Sequence, residues 1–333
     1  MRLIECVPNF SEGNNEDIIN KISTEITSVD NVKLLDIDLG KDTNRTVITF
    51  AGNPEDVIEA AFLAISKASE LIDMTKHRGA HSRMGATDVC PLIPIKGVTV
   101  EECIEYSHKL AKKVSKELNI PIYMYENSAS CDIRINLANI RKGEYEGMEE
   151  KIKKSEWKPD YGEAKINIKS GVTAIGVREF LIAYNVNLNT SNKKLASDIA
   201  LDIREAGRAK RDINGKIVRN SKNEIIKLPG SLKHVKAVGW YLEEHNLAQV
   251  SMNLVNYKET PLHKVFEEIN EQAQKRGLRV TGSELVGLIP LSSMLDAGKY
   301  FLAKQGQSTG VPNSQLIHIA IKSMGLDEMY EFK

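Results

Sequence analysis

One order of secondary-structure elements occurs twice along this 333-residue chain, and it constrains the fold more than any other feature. Each half is predicted to contain a strand, a helix, a strand hairpin, a second helix and a closing strand, because apolar residues alternate in strands and recur at helical spacing in helices. In the first half these elements fall at residues 3–8, 14–28, 32–39 with 45–51, 54–72 and 89–95, before a helix at 99–118 and a strand at 122–125. In the second half they fall at residues 180–188, 191–207, 235–242 with 247–255, 261–276 and 280–289.

This repeated order predicts an α+β fold with two similar lobes of the split-βαβ (ferredoxin-like) type. We expect each lobe to be a mostly antiparallel sheet with helices packed on one face, and a ligand groove between the lobes. The length also exceeds the usual size of one hydrophobic core. Residues 1–178 and 179–326 are therefore predicted as N- and C-terminal lobes, with a tail at 327–333 and a candidate linker at 140–171 that could cross the groove.

Two helix starts carry capping signals. Asn53 is predicted as an N-cap with Pro54 as the first helical residue, and Thr99 with Glu102 has the spacing of a capping box.

The charge balance narrows the class of partner. Lysine plus arginine and aspartate plus glutamate number 45 each, which argues against nucleic acid or an anionic membrane as a partner. The four cysteines are scattered without a C-x-x-C pair, the start of the chain lacks signal-peptide features, and no apolar run is long enough for a membrane span. We expect a cytoplasmic protein with reduced thiols.

Residues 208–231 are polar, rich in lysine and arginine, and weakly periodic. The segment is interpreted as a solvated surface loop of the second lobe, with an active-site lid as the alternative.

The richest cluster of reactive side chains is the stretch HRGAHSRMGATD at residues 77–88, between a predicted helix and a predicted strand. Histidine can both accept and donate a proton near neutral pH, so His77 and His81 are the leading acid/base candidates. A structural role at the helix end is the favoured alternative for His77. For His81 the residues alone leave a surface-loop role open.

Other chemistries have weaker signals. The His-x-x-x-His spacing could bind zinc on a helix, but Gly79 disfavours a helix and no third ligand is evident, so no metal is expected. The sequence has no glycine-rich nucleotide motif and no G-x-S-x-G elbow, and Cys90 sits in an apolar strand.

Carboxylates and arginines supply the remaining candidates. Asp36 and Asp38 share one face of a predicted strand, and either could orient a histidine or cap the following turn. Arg45, Arg78 and Arg83 are candidates for binding substrate carboxylates, with plain surface solvation as the alternative.

Several stretches together resemble the glutamate formiminotransferase family: ECVPNFSEGNN at 5–15, TNRTV at 43–47, the histidine stretch at 77–88, GWYL at 239–242, NLAQVS at 246–251 and GSELVGLIP at 282–290. The resemblance covers about residues 1 to 325. It extends to the formiminotransferase portion of the bifunctional formiminotransferase-cyclodeaminases, whose second activity is not expected here.

The resemblance implies a transferase that moves the formimino group of N-formimino-L-glutamate to tetrahydrofolate, giving 5-formiminotetrahydrofolate and L-glutamate. This reaction belongs to histidine degradation and one-carbon metabolism. By the same resemblance His81 is the catalytic acid/base and Asp38 its acidic partner. The folate-contacting segment maps onto Gly162, Glu163, Ala164, Lys165, Ile166, Asn167, Ile168, Lys169, Ser170 and Gly171.

Arg45 and Arg83 are hypothesised to hold substrate carboxylates, tetrahydrofolate is the expected co-substrate without a metal, and a homodimer is implied by resemblance only. Two alternatives stay open: the same fold acting on formiminoglycine or a formyl-amino acid, and a folate-binding protein without turnover.

Overall fold

The computed structural model describes residues 1–41, 43–79, 81–329 and 332. The chain divides into two compact units, Met1–Glu179 and Phe180–Lys333, and each is described by itself. Both combine a sheet with helices, so the chain is a mixed α+β protein. No helix among the described residues has the length and apolar character needed to cross a membrane.

The first unit follows the predicted order and then adds elements. Its strands are β1 (Leu3–Cys6), β2 (Asn9–Phe10), β3 (Val32–Gly40), β4 (Arg45–Gly52), β5 (Thr87–Lys96), β6 (Ile122–Glu126) and β7 (Thr173–Val177). Its helices are α1 (Glu16–Thr27), α2 (Pro54–Leu71), α3 (Val100–Leu118), α4 (Asp132–Ile135), α5 (Leu137–Arg141) and α6 (Glu144–Ile152), followed by a 3₁₀ turn at Ser155–Trp157.

Both predicted helix starts are at the expected positions. Thr99 and Glu102 form the capping box: Glu102 N–H donates to Thr99 Oγ1 at 3.2 Å, and Thr99 N–H donates to Glu102 Oε2 at 2.9 Å. Asn53 is the N-cap of α2 and Pro54 its first residue, but the Asn53 side chain makes no capping hydrogen bond.

The sheet of the first unit is antiparallel on one side and parallel on the other. β1 and β2 both pair with β4 and with β5, so they occupy one strand position between them. The order across the sheet is β3, β4, the β1/β2 position, β5, β7 and β6, with β7 parallel to both of its neighbours. Strand β7 extends the unit beyond the predicted hairpin pattern.

One face of this sheet carries the main core. Alternate strand residues such as Ile48, Phe50, Cys90 and Leu92 pack against the apolar faces of the helices, and full burial of such a side chain is worth about 1.5–3 kcal/mol. The helix residues in this core include Ile19, Ile22 and Ile26 of α1 and Val57, Ala60, Ala64, Ile65 and Ala68 of α2. The predicted helical periodicity of these segments is confirmed.

A second apolar cluster lies on the opposite face, at the β5–β7–β6 side. Its members are Met84, Val89, Tyr123, Tyr125, Ile140, Met148, Ile152, Trp157, Val172 and Ala174. Residues 140–171 supply several of these side chains and belong wholly to the first unit, so the prediction that this segment is a linker is wrong. Helices therefore cover both faces of this sheet, whereas the sequence predicted helices on one face. The helices on the second face are too short to show a clear periodicity in the sequence.

The second unit has the same strand order without the parallel extension. Its strands are β8 (Ile182–Leu188), β9 (Arg208–Ala209), β10 (Lys227–Leu228), β11 (Val235–Leu242), β12 (Leu247–Leu254) and β13 (Val280–Val286), and its helices are α7 (Lys193–Ile203), α8 (Leu262–Gln274), α9 (Leu291–Lys304) and α10 (Asn313–Met324). The main sheet runs β11, β12, β8, β13 and is antiparallel throughout. The first strand of each repeat lies third in this order, so β11, β12, β8 and β13 correspond to β3, β4, β1/β2 and β5 of the first unit.

One face of the second sheet packs on helices and the other carries buried amides. Ile182, Tyr184, Val186 and Leu188 alternate into the helix-covered core. Between them Asn187 accepts a hydrogen bond from Gln249 Nε2 at 2.8 Å, and Gln249 Oε1 accepts one from Trp240 Nε1 at 2.6 Å. The amides satisfy one another, which buried polar groups require.

The segment at 208–231 is built from two similar turns. Asp212 Oδ1 accepts from the backbone N–H groups of Asn214 and Lys216, and Asn220 Oδ1 accepts in the same way from Lys222 and Glu224. Most residues of this segment are exposed, and Ile213 is 99% exposed. The surface placement is as predicted, while a lid role stays a prediction.

Replacing the capping threonine should weaken the first unit. Thr99→Ala removes the acceptor of the Glu102 N–H and is expected to cost about 1 kcal/mol in the free energy of unfolding. Urea denaturation followed by circular dichroism measures the loss. Lys112→Ala, at an exposed position of the same helix, is the matched control and should change stability by no more than about 0.5 kcal/mol; equal losses in both variants would contradict a capping role.

Candidate active site

A buried carboxylate organises the stretch at residues 77–88. Asp88 is 0% exposed; its Oδ2 accepts from Arg45 Nη1 at 2.7 Å and from Arg141 Nη2 at 2.6 Å. Its Oδ1 accepts the Met84 backbone N–H at 2.9 Å. Burial opposes ionisation, but Arg141 and Arg45 outweigh it and lower the pKa of Asp88 to about 2. The carboxylate is therefore ionised and holds two guanidinium groups together.

Arg45, proposed from sequence as a carboxylate ligand, is 8% exposed. Besides Asp88 it binds Asn9, whose Oδ1 accepts from Nε at 3.0 Å and from Nη2 at 2.7 Å. Burial lowers the pKa of Arg45 to about 10, so it keeps its charge at neutral pH. Each of its three nitrogens thus already donates to a protein group.

His81 is partly buried beside this charge cluster. Its Nδ1 lies 2.7 Å from the Ser82 carbonyl oxygen, which can only accept, so Nδ1 carries the proton. In the neutral ring this leaves a lone pair on Nε2. Burial first, and then the charges of Arg45 and Arg141, lower the pKa of His81 to about 3, with Asp88 acting in the opposite direction. The ring is a neutral base in the free protein.

Asp38 lies on β3 opposite Val47 of β4 and is partly buried. Residues opposite each other, and residues two apart, share a face of a sheet, so Asp38 faces the same side as Arg45. Its predicted pairing with His81 stays a prediction. Asp88, which sequence reasoning did not single out, is a carboxylate whose charge acts on His81.

Arg83 is committed to protein partners. Its Nη1 donates to Glu144 at 2.7 Å and its Nη2 to Glu146 at 2.5 Å, and its Nε donates to His77 Nδ1 at 3.2 Å. The side-chain bond to Glu146 is the largest cause that raises its pKa. These contacts tie the histidine stretch to α6, and they leave the predicted carboxylate-binding role of Arg83 without geometric support.

His77 is buried, and both ring nitrogens are engaged. Nε2 lies 2.9 Å from the Asn44 carbonyl and therefore donates, while Nδ1 accepts from Arg83. Burial is the main cause that lowers its pKa. The structural alternative fits His77, but through these two bonds rather than a helix dipole, since α2 ends at Leu71.

The segment predicted to contact folate runs along the same stretch. Residues 162–169 are largely exposed, and its end is fixed by backbone bonds from Ala86 N–H to Ser170 at 2.8 Å and from Val172 N–H to Met84 at 3.1 Å. Gly171 has φ +71°, and a Cβ there would lie 2.1 Å from the Met84 carbonyl oxygen. The fold thus brings the 170–172 backbone beside residues 84–86, three positions after His81.

Arg141 is the site residue that sequence reasoning missed. It ends α5, inside the segment predicted as a linker, and its partner Asp88 is far away in sequence. Its Nε is buried and has no acceptor among the described residues. An unpaired buried N–H costs about 1–3 kcal/mol. No local pattern marks this arginine, because its contact with Asp88 joins residues far apart in the chain.

Among the described residues no three His, Cys, Asp or Glu side chains are grouped as metal ligands.

Comparisons with known proteins agree on one family. A family model described as formiminotransferase domain, N-terminal subdomain, matches residues 3–178, and one described as formiminotransferase domain matches residues 183–333. The chain is 46% identical over 325 residues to the formimidoyltransferase-cyclodeaminase of Dictyostelium discoideum and 46% identical over 331 residues to that of Mus musculus. These alignments cover 98% and 99% of this chain but only 57% and 58% of those proteins, so the chain spans less than two thirds of their length.

A shorter relative matches almost end to end. The chain is 44% identical over 301 residues to the glutamate formimidoyltransferase of Streptococcus pyogenes serotype M1, covering 90% of this chain and 93% of that protein. Among solved structures, a microcompartments protein from Desulfitobacterium hafniense DCB has a TM-score of 0.21 at 8% identity, which is too weak to bear on the fold.

The ring of His81 should stay neutral well below the usual histidine range. Because its pKa is lowered from 6.5 to about 3, its NMR chemical shifts should be flat between pH 8 and 5 in the folded protein. In urea the same signals should titrate near 6.5. Below about pH 6.5 the unfolded chain binds a proton that the folded chain does not bind, so the free energy of unfolding decreases as the pH falls. A folded-state midpoint near 6.5 would contradict the arrangement of arginines described above.

Gly171→Ala should destabilise the loop that carries the predicted folate segment. A left-handed backbone costs a non-glycine residue about 1–2 kcal/mol, and the Met84 carbonyl must also move. The matched control is Gly147→Ala in α6, where nothing lies within 4 Å of a Cβ, and where alanine should stabilise by up to about 1 kcal/mol. Thermal unfolding compares the two, and shifts of the same sign would contradict the described backbone.

Proposed function

This chain belongs to the formiminotransferase family, and we propose that it transfers the formimino group of N-formimino-L-glutamate to tetrahydrofolate, releasing L-glutamate. The observation that carries the proposal is a neutral histidine, protonated on Nδ1 and with a lone pair on Nε2, beside the buried Arg45 and the partly buried Arg141. The segment predicted to contact folate ends against the same stretch. Both family models and the bacterial relative's name agree with this activity.

In the proposed reaction the N5 amine of tetrahydrofolate attacks the amidine carbon and forms a tetrahedral centre with three nitrogens. Nε2 of His81 accepts the proton that the attacking amine loses. The same nitrogen returns a proton to the departing glutamate nitrogen, and the carbon–nitrogen bond to glutamate breaks. One group that moves a proton in both directions is what such a transfer needs.

The low pKa of His81 in the free protein means that its strength as a base depends on bound substrate. Burial, and after it the charges of Arg45 and Arg141, lower the pKa, and a bound carboxylate would neutralise part of that positive charge. We infer that the pKa of His81 rises toward neutrality when the donor binds. Proton transfer is most effective when that pKa is close to the working pH.

Asp38 is proposed as the acidic partner of His81. Its support is the family resemblance and its place on the same sheet face as Arg45. Because the Ser82 carbonyl already fixes the tautomer, Asp38 would act after proton transfer, by stabilising the charged ring.

The remaining assignments are proposals of the same kind. Residues 162–171 are proposed to contact folate, and Arg45 to orient a substrate carboxylate through its charge; Arg83 keeps only a positioning role. Tetrahydrofolate is the co-substrate, and no metal is invoked. We further propose two split-βαβ (ferredoxin-like) lobes at 1–178 and 179–326, which the matching strand orders support, and a cytoplasmic homodimer acting in histidine degradation and one-carbon metabolism. The groove predicted between the lobes stays a prediction.

Replacing His81 should remove turnover and spare folate binding. His81→Ala and His81→Gln are expected to lower kcat by roughly 10²–10⁴-fold, the range for loss of a general acid/base. Formation of 5-formiminotetrahydrofolate is followed spectrophotometrically, with formiminoglutamate and formiminoglycine as alternative donors, and folate affinity by fluorescence titration.

His318→Gln, at an exposed position of α10, is the control and should retain full activity. Undiminished turnover in both His81 variants would refute the assignment. Tight folate binding by the unmodified protein without product from any donor would favour a carrier instead.

A further inference from the structure

Of the arginines around His81, Arg141 differs in what its guanidinium still offers. All three nitrogens of Arg45 donate to Asn9 or Asp88, and all three of Arg83 donate to glutamates or His77. Arg141 gives Nη2 to Asp88, and its buried Nε has no acceptor among the described residues. Its side chain is also 18% exposed, so part of it is open to solvent. Its Nη1 makes no hydrogen bond among the described residues, so Arg141 has donor capacity left for a ligand.

The charge around Asp88 points to an anionic ligand. Two guanidinium groups share one carboxylate oxygen, and His81 beside them is neutral. The group carries one positive charge in excess, in a partly buried place where charges are weakly screened. A carboxylate that accepts from a guanidinium in a bidentate fashion fits this excess best.

The backbone that carries Arg141 is held rigidly. Lys151 of α6 is buried, and its Nζ donates to the carbonyls of Asn139 and Ile140 at 2.6 Å and of Lys142 at 3.0 Å. The same ammonium lies 3.9 Å from the centre of the Trp157 ring. Lys151 thus satisfies the carbonyls on both sides of Arg141 and orients α5. Donors fixed in advance lose little freedom when a ligand binds.

We propose that Arg141 binds the α-carboxylate of the formimino donor, with Lys151 as its positioning residue. This rests on the proposed function. In a formimino-amino acid the amidine is attached to the α-nitrogen, and the α-carboxylate is one carbon further on. Arg141 pairs with Asp88, and Asp88 also holds the backbone of Met84, three positions after His81. Arg141 is therefore suitably placed for that carboxylate while His81 acts at the amidine. The γ-carboxylate of glutamate lies further along the side chain.

The choice of donor separates the two carboxylates. Formiminoglutamate has both, whereas formiminoglycine has only the α-carboxylate. Arg141→Gln should raise the KM for each donor by the same factor, roughly 10- to 100-fold, which corresponds to loss of a hydrogen bond to a charged group. Arg141→Lys should have a donor KM between those of the unmodified protein and Arg141→Gln, because lysine keeps the charge but cannot donate two parallel hydrogen bonds. Lys151→Met should raise the donor KM with little change in folate affinity.

Arg134→Lys is the matched control. Arg134 is buried in the first unit, pairs with an aspartate, Asp160, at 2.7 Å, and has an Nε without an acceptor in the part of the chain that the structure describes. Its guanidinium lies over Tyr123 and donates to the Glu156 and Lys158 carbonyls. Its replacement should leave the donor KM unchanged. NMR of His81 adds a second readout of the charge of Arg141: Arg141→Gln should raise the pKa of His81, and Arg134→Lys should leave it unchanged.

Calorimetric titration of formiminoglutamate into the folate-free protein tests the subsite without turnover. Binding by the unmodified protein that Arg141→Gln weakens, in a protein that gives no product, would overturn the proposed function and leave the subsite standing. An unchanged donor KM in Arg141→Gln overturns the subsite, as does a loss confined to formiminoglutamate or a loss of folate affinity alone.

Discussion

The ion pairs of the buried Asp88 carboxylate with Arg45 and Arg141 are the interaction on which the candidate site depends. One oxygen joins a residue of β4 to the end of α5, and the other fixes the Met84 backbone. An unpaired carboxylate at 0% exposure would be strongly destabilising. The three segments that carry the proposed chemistry are thereby held in one place by a single side chain.

The same cluster sets the chemistry available to His81. Burial, and after it the charges of Arg45 and Arg141, keep the imidazole neutral, and the Ser82 carbonyl selects the tautomer with Nε2 as acceptor. A histidine in this state is a weak base, and a bound anion can raise its pKa. Substrate binding and proton transfer are coupled in this scheme because the same arginines act on both.

The sheet of the first unit serves two purposes through its two faces. Residues such as Ile48 and Phe50 pack into the helix-covered core, while Arg45 and Asp38 lie on the other face. The second sheet repeats the division, with Tyr184 in the core and the Asn187–Gln249 amide pair opposite. Strand alternation alone produces this separation, since successive side chains point to opposite faces.

The sequence by itself determined the repeated strand and helix order, the Thr99 capping box and the histidine stretch, because periodicity, capping and loop composition act between residues close in the chain. Tertiary structure alone decided that Arg83 forms ion pairs with Glu144 and Glu146, that residues 140–171 pack into the first unit, and that Arg141 forms an ion pair with Asp88. The ion pairs of Arg83 and Arg141 join residues more than 50 positions apart. The N–H groups of an arginine that stay unpaired are set by how distant segments pack. No local sequence pattern encodes that packing.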